Sequence, residues 1–185
     1  GMLFIRGHAM DFDGWRQAGC EGWGYEDVLP YFKRMENYDA GGDAFRGSGG
    51  PLNVHRASFN NPLLKAFITA GQEAGYPLSD DLCGYRQEGF GVLDSTVHKG
   101  ERWSAARAYL DPVRNNKNLQ IVTKALVQKL HFDGTTAKSV SFLDQFGQDK
   151  VVSANKEIIL CAGAVGTPHV LMLSGIGPRA HLEQH

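Results

Sequence analysis

Residues 157–177 read EIILCAGAVGTPHVLMLSGIG, and the fold is decided there. Ile158, Ile159 and Leu160 form a short continuous apolar run, the pattern of a strand buried on both faces. Cys161, Ala162, Gly163 and Ala164 are small, so the backbone at that point can lie close against another group. Thr167 followed by Pro168 predicts a helix start, because the hydroxyl caps a free N–H and proline tolerates the first helical position. Residues 170–173 are apolar all round, which predicts a buried helix, and Gly175, Gly177 and Pro178 end it. A buried strand, a tight turn and a short helix make a floor for a nucleotide cofactor, since a helix N-terminus favours negative charge.

The order of the residues in this stretch is more specific than its physics. Gly163, Ala164, Thr167, Pro168 and then Ser174-Gly175-Ile176-Gly177 resemble the second signature of the glucose–methanol–choline (GMC) family of flavin oxidoreductases. Residues 1–15, GMLFIRGHAMDFDGW, resemble the tail of that family's first signature. A third likeness is the run from Gly100 through Arg102 and Ser104 to the Ala-Tyr-Leu-x-Pro stretch at 108–112. Within the family the chain is most similar to choline and other alcohol dehydrogenases.

The resemblance implies an α/β (α+β mixed) fold, part of an FAD-binding domain, with a buried strand–turn–helix unit and a β-meander. It implies FAD as cofactor, with Gly1, Met2, Leu3, Val127, Ala162, Gly163 and Ala164 lying against it. The activity implied is oxidation of an alcohol, choline-like or another primary alcohol, to an aldehyde, with electrons passing to an acceptor that the sequence does not identify. A flavin-containing lyase on the same fold and a non-enzymatic binding module are the alternatives. Three segments are expected: 1–60 from the FAD domain with a lid-like loop, 61–117 opening the substrate domain, and 118–185 returning to the FAD domain. No G-x-G-x-x-G follows a strand in this sequence. None of the seven histidines matches the family's catalytic one. The expectation is an internal segment of a larger flavoenzyme, without a catalytic residue, inert alone and prone to self-association.

Composition is consistent with that class. The 185 residues carry a net charge of −1, which argues against nucleic acid as a partner. Three widely spaced cysteines, Cys20, Cys83 and Cys161, form neither a disulfide framework nor a metal motif. They point to a reducing compartment and a cytoplasmic protein, at most peripheral to the inner membrane face. No apolar run is long enough to span a bilayer.

The remaining chain yields local expectations. Arg6, His8, Asp11 and Asp13 are read as loop and cap residues, with Asp11 or Asp13 capping a helix that ends at Gly19. Pro30 should divide a helix over 22–38 into two pieces, with Tyr31, Phe32 and Met35 in the core. Residues 40–51, rich in glycine, read as a mobile surface loop. Asn61-Pro62 opens an amphipathic helix ended by Gly75, with Leu63, Leu64, Phe67, Ile68 and Ala74 on one face. Strands are expected over 89–97 and 119–122. A meander follows over 125–132, 140–143 and 151–152, with a hairpin turn at Asp133-Gly134. Ser104 is placed as the cap of a short helix, and Arg102 and Arg107 as members of loop-fixing ion pairs.

Overall fold

The computed structural model describes residues 2–58 and 60–184, so Gly1, one of the expected cofactor contacts, lies outside the described residues. The chain divides into two compact units, Gly1–Leu119 and Gln120–His185. Helices and short strands are mixed throughout, as the α/β (α+β mixed) expectation requires.

In the first unit, β1 (Leu3–Phe4) pairs antiparallel with β4 (Asp94–Ser95). β2 (Glu36–Tyr38) pairs parallel with β3 (Leu52–Val54), and β5 (Val97–His98) forms a hairpin with β6 (Glu101–Arg102). The core gathers Phe4, Tyr38, Val54 and Cys83. Alternation through β1 and the two residues after it puts Phe4 and Arg6 inside while Leu3 and Ile5 stay 66% and 58% exposed, the period-2 pattern of an extended segment with one covered face.

Helix α1 (Ala9–Gln17) is capped differently from expectation. His8 is the cap: its Nδ1 accepts from the Met10 N–H at 3.2 Å, and Asp11 completes the capping box by accepting from the His8 N–H at 2.8 Å. Asp13 instead accepts from the N–H of Tyr25 at 3.0 Å, at the start of α2 (Tyr25–Met35). Pro30 does not divide α2. It forfeits one bond, to the Glu26 carbonyl, but its fixed φ is helical, and the packing of α2 on α1 holds the run together. Phe12, buried, is the pivot, with ring centroids 5.6 Å from Phe32 and 5.3 Å from Trp15. Tyr31, expected in the core, is exposed and lies beneath the Arg34 guanidinium instead.

Residues 40–51 are not a loose loop. Asp43 accepts from the N–H groups of both Phe45 and Arg46 at 2.7 Å. The Gly47 carbonyl takes the Tyr38 N–H at 3.0 Å, and the Gly50 N–H reaches the Glu36 carbonyl at 3.0 Å. Glycine is required sterically here: a Cβ on Gly47 would overlap the Lys33 carbonyl, and one on Gly50 the backbone of Met35.

Helix α3 (Pro62–Glu73) begins and ends as expected, with the Asn61 side chain accepting from the Leu63 N–H and Gly75 at φ +87°. Its apolar face is largely uncovered, Leu63 being 78% and Phe67 65% exposed. Only Gly71 is buried, where a Cβ would meet the Phe90 ring at 2.5 Å. The strand expected over 89–97 is broken: β4 and β5 flank Thr96, and residues 91–93 are irregular. Ser104 does begin a helical turn, a π-helical one over Ala106–Leu110, by accepting from the Arg107 N–H at 3.3 Å.

The second unit is an antiparallel meander of β7 (Leu126–Asp133), β8 (Thr136–Leu143) and β9 (Asp149–Ser153), joined at β7 by α4 (Gly163–Leu173). Gly134 and Gly147 take the left-handed conformation at the two turns. Residues 119–122 and 158–160 are not strands. A strand with apolar side chains on both faces needs a neighbour along each edge. Among the described residues none pairs with 158–160, and Ile159 is 73% exposed. Helix α4 also starts four residues before Thr167, leaving Pro168 inside it.

Candidate functional site

The turn into α4 has the backbone that its small residues predict. Gly163 stands at φ +84°, a conformation that costs other L-residues roughly 1–2 kcal/mol. A Cβ added there would meet nothing within 4 Å. Ala162 precedes the helix as its N-cap and offers no side-chain bond. Among the described residues no side chain caps the first-turn N–H groups of α4. Ala162, Gly163 and Ala164 are all exposed, as is Val165. An approachable backbone with free donors at a helix N-terminus suits a polar or anionic group.

The far end of α4 is closed. The Ser174 hydroxyl donates to the Val170 carbonyl at 2.6 Å and accepts the Leu130 N–H at 2.9 Å, tying α4 to β7. Gly175 at φ +85° and the Ile176 N–H on the Leu171 carbonyl complete a Schellman-type stop. Thus the Ser-Gly-Ile-Gly string is a helix terminator that also fixes α4 against the sheet. Val127 lies on β7, opposite Phe142 of β8 and partly exposed. β7 is an edge strand of its sheet, and apart from the Leu130 N–H held by Ser174 its outer edge is paired with no other strand among the described residues.

Met2 and Leu3 belong to the first unit, where Leu3 pairs with Ser95 and the Met2 carbonyl accepts the Thr96 N–H at 2.7 Å. Both side chains are exposed. Of the expected contacts, the structure places Val127 and 162–164 in one unit and Met2 and Leu3 in the other.

Behind β1 lies a buried charge network that sequence reasoning missed. Glu36, wholly buried, accepts from Arg6 and from Arg46 Nη2 at 2.6 Å, and from the Gly47 N–H at 3.0 Å. Arg46 also reaches Asp81 at 2.7 Å and Asp94 at 2.9 Å, and its guanidinium covers the Tyr38 ring at 3.6 Å. Burial works against the charge on Arg46, but Glu36 and Asp94 outweigh it and hold the guanidinium charged. Burial pushes the Asp94 carboxyl up, with Arg46 and Arg56 pulling the other way. Arg6 was read as a loop residue. Its spacing of two from Phe4 on a strand was the available signal that it points inward.

The comparisons with known proteins agree with this architecture. The sequence profile described as GMC oxidoreductase matches residues 1–185, and the chain belongs to the GMC oxidoreductase family. It is 47% identical over 185 residues to the oxygen-dependent choline dehydrogenase of Brucella ovis, covering 100% of this chain and 33% of that protein. The chain thus spans about a third of the length of the curated relatives it matches. Among solved structures, pyridoxine 4-oxidase from Mesorbium loti superposes with a TM-score of 0.86 at 37% identity, over 98% of this chain and 36% of that one. An FAD-dependent oxidoreductase from Chaetomium thermophilum gives 0.86 at 33% identity, over 99% and 34%. No helix among the described residues is long and apolar enough to cross a membrane.

Proposed function

We propose that the protein is an FAD-dependent oxidoreductase that oxidises a small alcohol, choline-like or another primary alcohol, to its aldehyde. In this reading Met2, Leu3, Val127, Ala162, Gly163 and Ala164 supply part of the cofactor's wall. The observation that carries it is Gly163: left-handed backbone, open space where a side chain would stand, and an uncapped helix start beside it. The flavin, when bound, supplies the hydride acceptor. The chain's own part is to bind and orient. The first-turn N–H groups of α4 donate to the ligand, Ala162 and Ala164 leave it room, and the edge of β7 offers backbone groups at Val127. Ser174 holds α4 on the sheet, so the donors at its other end keep their direction. Electrons leave to an acceptor outside this chain.

The test is flavin retention. Gly163→Leu adds bulk and backbone strain, whereas Gly163→Asn tolerates the left-handed backbone and adds only a small side chain. After reconstitution with FAD, wild-type protein should retain flavin by absorbance, Gly163→Leu should retain none, and Gly163→Asn should fall between them. Equal flavin content in all three would show that the turn is packing only.

A further inference from the structure

In the first unit, β3 and the β5–β6 hairpin pack together and line a polar cavity of about 300 Å3. Its walls include Asn37, Asp39, Asn53, His55, His98 and Lys99. That volume is at the lower end for small-molecule sites.

Of the three basic side chains on this cavity, those of His98 and Lys99 have no hydrogen-bond or ion-pair partner among the described residues. The Asp39 carboxylate takes Nδ1 of His55, and Nε2 of that ring has no hydrogen bond among the described residues. His98 packs its ring against Trp103 at 5.0 Å, and the ring makes no hydrogen bond among the described residues. Lys99 makes neither an ion pair nor a hydrogen bond among them. Asp39 is the one carboxylate in the described lining, and it is already occupied by His55 and by the Arg56 N–H at 2.9 Å. Burial opposes its ionisation, but those two partners outweigh burial and hold the carboxyl below its ordinary range.

Lys99 is also in an unexpected conformation. With Lys99 at φ 51° and Gly100 at φ 78°, the two-residue turn between β5 and β6 has left-handed backbone at both positions. Such turns favour Asn-Gly or Gly-Gly. A lysine at the first position is strained relative to glycine, and it places a cation on a cavity already lined by two imidazoles. An unpaired ammonium beside two imidazole rings on one hollow is an arrangement that recognises an oxyanion.

We propose that His55, His98 and Lys99 form a binding site for a small oxyanion, a carboxylate or phosphate group carried by a small molecule. The inference does not depend on the flavin reading, because all its residues lie in the first unit and none is an expected cofactor contact.

Lys99→Gly provides a clean test, because it removes the cation and relieves the backbone at once. Wild-type protein, Lys99→Gly and His55→Gln are titrated with inorganic phosphate and separately with acetate. Ionic strength is held constant with chloride, and histidine-ring resonances are followed by NMR. Wild type should show saturable shifts of His55 and His98. Lys99→Gly should bind about tenfold or more weakly, since losing one charge-assisted contact is worth roughly 1.5–3 kcal/mol, while its thermal midpoint is unchanged or raised. His55→Gln should weaken binding similarly and leave the His98 resonance as reporter. Saturation by phosphate alone or by acetate alone assigns the oxyanion class, and either supports the site. Non-saturable shifts with both anions, or equal affinity in wild type and Lys99→Gly, would overturn it.

Discussion

Replacing Glu36 by glutamine leaves its shape nearly unchanged and removes the negative charge from the centre of the first unit. In the native protein that carboxylate is 0% exposed and accepts from Arg6, from Nε and Nη2 of Arg46 and from the Gly47 N–H. A carboxamide has one accepting oxygen, and its NH2 group would face a guanidinium donor. Two arginines, 6% and 1% exposed, would then share the remaining acceptors. Breaking a buried ion pair from one side costs roughly 3–5 kcal/mol, a large part of a typical ~5–15 kcal/mol margin. A unit the size of Gly1–Leu119 has an unfolding entropy of roughly 0.25 kcal/mol/K, so its thermal midpoint should fall by roughly 12–20 °C. Circular dichroism during thermal unfolding reads this directly. A decrease of less than about 3 °C would mean that water reaches the network, and that the buried carboxylate is not what fixes loop 40–51 to β1.

Gly47→Ala should destabilise the same unit although it adds a single methyl group, since that methyl overlaps the Lys33 carbonyl; urea unfolding should show a lowered midpoint, and an unchanged one would mean that the loop moves aside cheaply. Asp39 and Asp43 are held below the ordinary carboxylate value of 3.8 by hydrogen bonds that outweigh burial. The unfolded state therefore takes up their protons first, so this stability is present above about pH 4 and is lost as pH falls through the lower folded values. Asp43→Asn, which retains the accepting oxygen, should flatten the acid limb of a stability–pH curve, and an identical limb would reject the assignment. Exposed Leu63, Phe67 and Ile159 should make the chain self-associate, as light scattering across a concentration series would reveal; a constant monomer mass would contradict it. Ser174→Ala should loosen α4 from β7 and speed exchange of the Leu130 amide, which otherwise has the Ser174 oxygen as its acceptor.

Local signals were legible where one residue type decides the geometry. Asn61-Pro62 and Gly75 bounded α3, Asp133-Gly134 made the hairpin, and Gly163 took the backbone that only glycine adopts cheaply. Features that depend on distant partners were not. Ile158–Leu160 has the composition of a doubly covered strand, but a strand exists only where another pairs with it. Pro30 carries a breaking propensity that the packing of Phe12 on Phe32 overrides. The charge network was hidden because Arg6, Glu36, Arg46, Asp81 and Asp94 are scattered along the chain and each alone resembles an ordinary surface residue.

The hydrogen bonds that hold loop 40–51 imply two very different exchange rates within one glycine-rich segment. The Gly47 amide proton sits on a carboxylate with no exposure, and the Gly50 amide proton sits on the Glu36 carbonyl. Neither can leave without the surrounding unit opening, so both should exchange with solvent deuterium on the timescale of global unfolding. Gly42, a few residues earlier and exposed, donates to nothing among the described residues and should exchange almost immediately. A deuterium label would therefore find the Gly42 amide open and the Gly47 and Gly50 amides as closed as the protein's core.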